Sequence, residues 1–234
     1  MDIKRILLKL SGEALAGEKH TGFDQTTVDG VARQIAEVVK KGIQVSVVIG
    51  GGNFWRGRTS EDMDRVRADQ IGMLATVMNA IYTSDAVRRA GVKTHVMTPF
   101  AVGAMTEPFN RDKAIEYLEA GEVCFFAGGT GHPYFSTDTA TVLRAVETKS
   151  DAMLFAKAID GVYDSDPNVN PDAKKFDRIS YKQIIEEKLG VIDLASAVLA
   201  EENRMPMLLF KLDGEKSIVD ALTGHFNGTE VTIE

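Results

Sequence analysis

Short apolar runs alternate with longer amphipathic segments along the whole chain. The apolar runs are rich in Val, Ile, Leu and Phe, which is typical of strands in a buried parallel sheet. We predict strands at RILLKL, QVSVVI, KTHVMT, VCFFA, AMLFA, MLLFKL and EVTI. Amphipathic segments between successive strands indicate βα units around a mainly parallel sheet.

Three of the intervening segments predict helices because each ends at a glycine, the residue that most readily adopts the left-handed conformation closing a helix. They are residues 27–41, a long stretch from about Met63, and residues 110–120, closed by Gly42, Gly91 and Gly121. Ser180 and Gln183 have the spacing of a capping box and predict the start of another helix. With no internal repeat, low-complexity tract or linker, we predict one α/β domain over residues 1–234.

Composition and charge narrow the classes of function. The chain is 44% hydrophobic and 26% charged, as expected of a globular protein, and its net charge of −7 argues against nucleic-acid or anionic-membrane partners. No stretch approaches the roughly 18 apolar residues of a membrane span, and the N-terminus predicts a strand and no cleaved signal. The single cysteine, Cys124, lies in an apolar run and predicts a buried thiol, which fits a reducing cytoplasm.

Unusual loops follow three of the predicted strands. SGEALAG follows the first strand, GGGNFWRGR the second and GGTGHPYFSTD the fourth. Ligands of open α/β sheets bind beyond the carboxyl ends of the strands, so we expect the three loops to converge on one crevice.

The second loop is close to a phosphate-binding P-loop. GNFWRGRT differs from G-x-x-x-x-G-K-[ST] only by Arg58 at the lysine position. Because an arginine is planar and forked, it does not replace the compact lysine charge, and two bulky aromatics occupy the loop interior. We therefore interpret the match as chance.

Each candidate residue also has an ordinary structural role. The glycines at 50–52 could cradle an anion with Arg56 as a clamp, or could form a tight turn beside a solvated arginine. Lys9 could point into the crevice or protect an edge strand. Asp138 could favour the N-terminus of a helix capped by Ser136 or Thr137.

The motifs together resemble a known family. KLSGEAL, VVIGGGNFWRG, ADQIGMLATVMNA, GGTGHPYFSTDTA and IDGVYDSDP are similar, in order and spacing, to the bacterial UMP kinases of the amino acid kinase fold family. The resemblance implies a three-layer αβα sandwich with a mainly parallel sheet, a homohexamer, and transfer of the γ-phosphoryl group of ATP to UMP. Mg²⁺ is expected on the nucleotide phosphates, with no dedicated protein metal site.

The resemblance also implies roles for single residues. Lys9, Arg56 and Asp138 would be catalytic, with Asp138 orienting the lysine. The expected ATP contacts are Lys9, Leu10, Ser11, Gly12, Gly52, Arg56, Lys157, Tyr163 and Asp166. The expected UMP contacts are Gly51, Asp69, Thr130, Gly131, His132, Pro133, Tyr134, Phe135, Ser136 and Thr137, with Asp69 accepting hydrogen bonds from ribose hydroxyls.

The residue types suit that chemistry. A phosphate monoester with a second pKa near 6 is mostly a dianion at neutral pH, so the attacking oxygen of UMP needs no general base. Positioning and charge neutralisation suffice, which explains glycines and cations without a Ser-His-Asp arrangement. DGVYDSDP lacks the glycine and glutamate of an EF-hand.

The chain departs from the family pattern at two places. Residues 156–161, AKAIDG, are one residue shorter than many relatives, so the contact of Lys157 is open. Asp24 replaces the second glycine of a G-F-G pattern associated with GTP regulation, which predicts weak GTP activation, or else Asp24 only caps the next helix. UTP is expected to inhibit by competing with UMP.

Two other functions stay open on the sequence. One is a kinase of the same fold that phosphorylates a carboxylate or carbamate. The other is a non-catalytic nucleotide sensor or oxoanion-storage protein. Asp69 and the TGHPYFSTD loop argue against the first, and Lys9, Arg56 and Asp138 against the second.

Overall fold

The computed structural model describes residues 3–55, 63–213 and 215–233. Its strands are β1 (Arg5–Leu10), β2 (Gln44–Ile49), β3 (Thr94–Thr98), β4 (Glu107–Pro108), β5 (Val123–Phe126), β6 (Ala152–Lys157), β7 (Val162–Tyr163), β8 (Lys175–Phe176), β9 (Arg178–Ser180), β10 (Met207–Lys211) and β11 (Gly228–Thr232). Its α-helices are α1 (Gly12–Leu15), α2 (Gln25–Lys40), α3 (Arg65–Arg89), α4 (Arg111–Glu119), α5 (Thr137–Glu147), α6 (Tyr181–Glu186), α7 (Leu194–Glu202) and α8 (Ser217–Thr223). All seven predicted strands are present, within a residue or two of their predicted bounds.

In the part of the chain that the structure describes, nine strands form one sheet in the order β4-β3-β5-β2-β1-β6-β10-β11-β9. Neighbouring strands are parallel except β10 and β11, so the prediction of a mainly parallel sheet is confirmed. β7 and β8 form a separate antiparallel pair. Because β1 lies between β2 and β6, the alternative that Lys9 protects an edge strand is wrong.

Helices cover both faces of the sheet and make three layers. One core cluster joins α2, α3 and α8 to the face that carries Ile6, Leu8 and Leu10 of β1. The other joins α4, α5, α6 and α7 to the face that carries Leu7. Side chains alternate between faces along a strand, so Lys9 shares the Leu7 face and points toward the α5 side.

The predicted helices are present, and their ends follow the predicted chemistry. Gly42, Gly91 and Gly121 have positive φ angles of 85°, 92° and 74° just beyond α2, α3 and α4. Ser180 caps α6 by accepting a hydrogen bond from the Gln183 amide at 3.1 Å. The single cysteine is buried in β5, and burial raises its pKa to about 12, which keeps the thiol protonated.

Asp24 caps α2, because its carboxylate accepts a hydrogen bond from the Thr27 amide at 2.8 Å. This bond, the largest cause, lowers the pKa of Asp24 below its usual value. The alternative that Asp24 caps the next helix therefore describes its contacts, and GTP activation stays a separate question. Among the described helices, none has the length and apolarity needed to cross a bilayer.

Candidate active site

The site is organised around a buried ion pair at the carboxyl end of the central strand. Lys9 Nζ lies 2.9 Å from Asp138 Oδ1, and the two side chains are 9% and 14% exposed. The contact is one of charge, since its angles are not those of a hydrogen bond and no donor bonds Asp138 Oδ1 among the described residues. The structure thus brings together two of the three residues expected to be catalytic.

The third, Arg56, lies outside the described residues, as does Arg58. The loop that leads to them is described as far as Trp55.

Asp138 is placed by the N-terminus of α5. Ser136 is the N-cap and its Oγ accepts hydrogen bonds from the amides of Asp138 and Thr139 at 3.0 and 3.3 Å. Of the two predicted N-caps, Ser136 is therefore the one used. The first turn of a helix favours a carboxylate, so the local structure supports the charged form of Asp138.

Lys157 shares the same carboxylate. Lys157 lies on the same face of β6 as Phe155, and Phe155 is the residue of β6 that lies opposite Lys9 of β1. The Nζ atom of Lys157 is 3.5 Å from Asp138 Oδ2. Lys157 also donates a hydrogen bond to the carbonyl of Val191. Both ammonium groups lie over the Phe155 ring, at 5.8 Å for Lys9 and 5.7 Å for Lys157. The contact of Lys157 that the sequence left open is thus with Asp138.

The charges in this cluster shift in linked directions. Burial acts to raise the pKa of Asp138, but the charges of Lys9 and Lys157 outweigh it, so the pKa lies below its usual value. Burial lowers the pKa of Lys157; Asp138 opposes this and Lys9 adds to it, and the net direction is down. The carboxylate of Asp193 also acts to raise the pKa of Lys157, so two lysines and two carboxylates lie close together, and Lys9 and Lys157 are the cations available to a polyanionic ligand.

The glycines before this cluster are required by close packing. A Cβ on Gly12 would lie 2.3 Å from the Gly50 carbonyl oxygen, and one on Gly51 would lie 2.9 Å from that of Gly72 in α3. A Cβ on Gly52 would lie 2.8 Å from Glu13 Oε1. The first and second loops therefore approach each other through backbone, as a phosphate cradle requires.

Two expected ATP contacts, Leu10 and Ser11, have groups that are already buried or hydrogen-bonded within the protein. The side chain of Leu10 is buried in the core, and the Ser11 amide donates to the Ala156 carbonyl at 3.1 Å. Leu10 has no exposed surface and its carbonyl oxygen accepts the Gly50 amide at 3.0 Å, so the structure does not place Leu10 at a ligand surface, whereas Ser11 can present its hydroxyl.

Residues of the third loop line a small cavity of about 120 Å³ next to this cluster. Its lining includes Gly51, Trp55, Asp69, Gly72, Met73, Thr76, Gly129, Thr130, His132, Phe135 and Thr137. Gly131 and Pro133 line an adjacent cavity of about 400 Å³ against α3. Of the remaining expected UMP contacts, Tyr134 donates its amide hydrogen to Asp69 Oδ2 at 2.8 Å, and Ser136 caps α5.

Tyr163 and Asp166 lie at a second cavity, of about 540 Å³, which Lys157 also lines. Tyr163 donates to Asp160 Oδ1 at 2.8 Å, and Asp166 Oδ1 accepts from the Asn168 amide at 2.9 Å. A larger cavity of about 670 Å³ also contacts Tyr163 but is not lined by Lys9, Asp138 or Lys157. The 540 Å³ cavity is therefore the better candidate for a nucleoside joined to phosphates at Lys9.

Two side chains that hold the site together, Asp193 and Asn79, were missed by the sequence analysis. Asp193 caps α7 and also accepts from Ser136 and Thr139, so it joins the starts of α7 and α5. Asn79 of α3 donates to the Gly50 carbonyl at 2.7 Å and exchanges amide hydrogen bonds with Asn53. These contacts span 26 to 57 residues, and no local pattern signals them.

A parallel sheet with glycine loops and two lysines at its carboxyl edge is typical of an α/β protein that binds phosphate groups there. Residues 4–211 match the model of the amino acid kinase family, and the chain belongs to this family.

Solved structures match over the full length. The chain is similar to the UMP kinase of Bacillus anthracis, with 36% identity, a TM-score of 0.93 and coverage of 100% of this chain and 98% of that one. The chain is also similar to the UMP kinase of Ureaplasma parvum, with 35% identity, a TM-score of 0.92 and coverage of 99% of this chain and 100% of that one. Similarity to the uridylate kinase of Archaeoglobus fulgidus is lower, with 27% identity, a TM-score of 0.75 and coverage of 97% of this chain and 99% of that one.

Replacing Asp138 tests the charge cluster. Asp138→Asn should lower the free energy of unfolding at pH 7 by about 3 kcal/mol, because two buried ammonium groups lose their counter-ion. In the wild-type protein the pKa of Asp138 is lower in the folded state than its ordinary value of 3.8. The charged carboxylate therefore stabilises the folded state fully at a pH above 3.8, and this stabilisation is lost as the pH falls below 3.8 toward the folded pKa.

Urea unfolding at pH 7 and across the acid range measures both effects. In Asp138→Asn the Asp138 share of the acid-induced loss should be absent, whereas Glu116→Gln, at an exposed position in the middle of α4, should leave both the neutral value and the acid limb unchanged within about 0.5 kcal/mol. An acid limb as steep in Asp138→Asn as in the wild type would contradict this assignment.

Proposed function

We infer that the chain is a UMP kinase, which transfers the γ-phosphoryl group of ATP to UMP and yields ADP and UDP. The observation that carries the proposal is the buried Lys9–Asp138–Lys157 cluster, whose Lys157 lines the 540 Å³ cavity, in a chain 35 to 36% identical to two UMP kinases over their full lengths. The 120 Å³ cavity with Asp69 and the third loop takes the ribose of UMP, and the 540 Å³ cavity takes the ATP nucleoside.

The reaction needs charge and alignment more than proton transfer. A terminal oxygen of the UMP phosphate attacks the γ-phosphorus of ATP, a new P–O bond forms, and the bond from that phosphorus to the β–γ bridging oxygen breaks. Lys9 at the end of β1 lies where it can neutralise the charge on the transferred group, and Asp138 orients its ammonium group. The glycines of the first two loops let the phosphates approach the backbone.

Mg²⁺ enters as part of the MgATP substrate. Among the described residues no group of three or more His, Cys, Asp or Glu side chains is arranged to hold a metal ion. Asp138 is held between two ammonium groups, a setting that repels a bare cation. Oxygens of the nucleotide phosphates are ligands that Mg²⁺ prefers, which supports this proposal.

Two structural features weigh against the alternatives. A kinase for a carboxylate or carbamate has no use for the Asp69 carboxylate and the long third loop that line the smaller cavity. A non-catalytic binding protein has no need for an ion pair directed at a transferring phosphoryl group.

The assignment is tested with a coupled assay of ADP formation. UMP, CMP, dUMP, glutamate and carbamate are offered in turn with MgATP, and we expect a strong preference for UMP. Equal rates with and without UMP would remove the assignment.

Replacing Lys9 tests the catalytic centre in the same assay. Lys9→Ala should lower kcat on the order of 10²-fold or more with a smaller change in the KM for UMP, because the charge acts mainly in the transition state. Lys182→Ala, at an exposed lysine of α6, is the control and should behave as the wild type. Activity of Lys9→Ala within about threefold of the wild type would make Lys9 merely structural.

The chain also presents a surface for self-association, and we propose a homohexamer. Ile71, Leu74, Met78 and Ile81 are exposed along α3 at the spacing of one helix face. A row of large apolar side chains on a surface helix is typical of a subunit contact. A second copy of this helix, presenting the same row, is its expected occupant.

Light scattering after size exclusion tests the contact. The double substitution Leu74→Glu and Met78→Glu should convert the oligomer into smaller species, because charges would be buried at the contact. Val169→Glu changes an equally apolar exposed residue outside α3 and should leave the mass unchanged. An unaltered mass in the double variant would place the contact elsewhere.

We place the enzyme in cytoplasmic pyrimidine nucleotide synthesis, with UTP as an inhibitor that competes with UMP. Asp24 removes the backbone freedom of a glycine and adds negative charge at the G-F-G position, so we expect weak activation by GTP.

Initial rates at subsaturating ATP and UMP, with increasing UTP or GTP at fixed free Mg²⁺, check both effects. UTP should raise the apparent KM for UMP. A several-fold, saturable activation by GTP would overturn the second expectation.

A further inference from the structure

Arg65 makes an ion pair with the residue expected to bind ribose. Its Nε lies 2.9 Å from both carboxylate oxygens of Asp69, one helical turn along α3. The Asp69 side chain is 13% exposed and that of Arg65 is 36% exposed, so the pair is partly shielded from solvent. The orientation of the carboxylate at the UMP cavity therefore depends on Arg65.

Helix stability does not account for this pair. Arg65 is the first residue of α3, where a positive charge opposes the helix dipole. Pairs four residues apart stabilise a helix better when the acid comes first, and here the base comes first. The placement of Arg65 is therefore better explained by what Asp69 contacts beyond the helix.

Asp69 connects the pair to the third loop. Asp69 Oδ2 accepts the amide hydrogen of Tyr134 at 2.8 Å, and the Arg65 guanidinium lies 5.4 Å from the centre of the Tyr134 ring. Tyr134 has a φ of 72°, a left-handed conformation that a residue with a Cβ adopts at a cost. Arg65 thus contacts the loop directly through the ring and indirectly through the carboxylate.

The arrangement leaves capacity for a ligand. An ionised carboxylate accepts about four hydrogen bonds, and the contacts with Arg65 and Tyr134 use only part of that capacity. Asp69 also lines the 120 Å³ cavity. A carboxylate and loop already ordered before the ligand arrives reduce the ordering cost of binding.

We propose that Arg65 is a positioning residue for UMP. Arg65 holds the Asp69 carboxylate in the orientation that accepts hydrogen bonds from the ribose hydroxyls, and Asp69 in turn holds the backbone at Tyr134. The proposal rests on the proposed function, because it names the nucleotide that the cavity takes. It assigns Arg65 no contact with the reacting phosphates.

Binding and turnover of UMP are measured in matched variants. Trp55, the single tryptophan, lines the same cavity and reports UMP binding by fluorescence. Arg65→Met should raise the Kd and KM for UMP about tenfold, with kcat within about threefold, since ground-state positioning is lost. It should also narrow the ratio of kcat/KM between UMP and dUMP.

Arg67→Met is the control, since Arg67 lies in the same helical turn and bonds Gln70. It should leave all of these constants within about twofold. Arg65→Lys keeps the charge without the forked group and should have an intermediate effect. The lysine variant also carries the test if Arg65→Met does not fold.

A double-mutant cycle decides whether Arg65 acts through Asp69. In the Asp69→Asn background, Arg65→Met should add less than about twofold to the Kd for UMP, because the group it positions is already altered. Independent, multiplying effects would overturn the proposal. So would unchanged UMP constants in Arg65→Met, a loss confined to kcat, or an equal loss in Arg67→Met.

Amide hydrogen exchange without nucleotide separates this proposal from the assignment as a kinase. Arg65→Met should speed exchange in a peptide spanning residues 129–136, where the Tyr134 amide is bonded, and should leave β1 unaffected. If the wild type shows no UMP-dependent turnover, the proposed function fails and so does UMP as the ligand. If turnover is normal but exchange and UMP affinity are unchanged in the variant, only the role of Arg65 fails.

Discussion

The shared carboxylate of Asp138 is the interaction on which the rest of the site depends. Two ammonium groups in a shielded crevice would repel each other, and Asp138 between them makes their approach tolerable. The cluster forms because three elements meet at one edge of the sheet. The end of β1 contributes Lys9, the end of β6 contributes Lys157, and the start of α5 contributes Asp138. Parallel topology is thus the condition for the chemistry.

Hydrogen bonds connect the charge cluster to the start of α7 and to the 540 Å³ cavity that Lys157 lines. Asp193 holds the starts of α5 and α7 together, and Lys157 reaches the carbonyl of Val191 just before α7. The segment that lines the 540 Å³ cavity is therefore attached to the helix that carries Asp138. Lys157 thus belongs both to the charge cluster and to the wall of this cavity.

Much of this arrangement could be predicted from the sequence, because strands, helix-ending glycines and the three loops have local signals. The order of the sheet could not, since β1 pairs with β6, nearly 150 residues away. The short elements β4, β7 and β8, of two residues each, carry no periodicity. Asp193 and Asn79 were missed for the same reason, because their partners are brought near only by the completed fold.

The buried amide pair of Asn53 and Asn79 limits how sequences of this fold can diverge. Each amide bonds the other and one further carbonyl, that of Gly22 for Asn53 and that of Gly50 for Asn79. Replacing one amide leaves its partner short of a hydrogen bond at a cost of about 1–3 kcal/mol, and replacing both by apolar groups removes the donors to the carbonyls of Gly22 and Gly50. Positions 53 and 79 are therefore expected to change together in evolution, and only to pairs of side chains that still donate to both carbonyls.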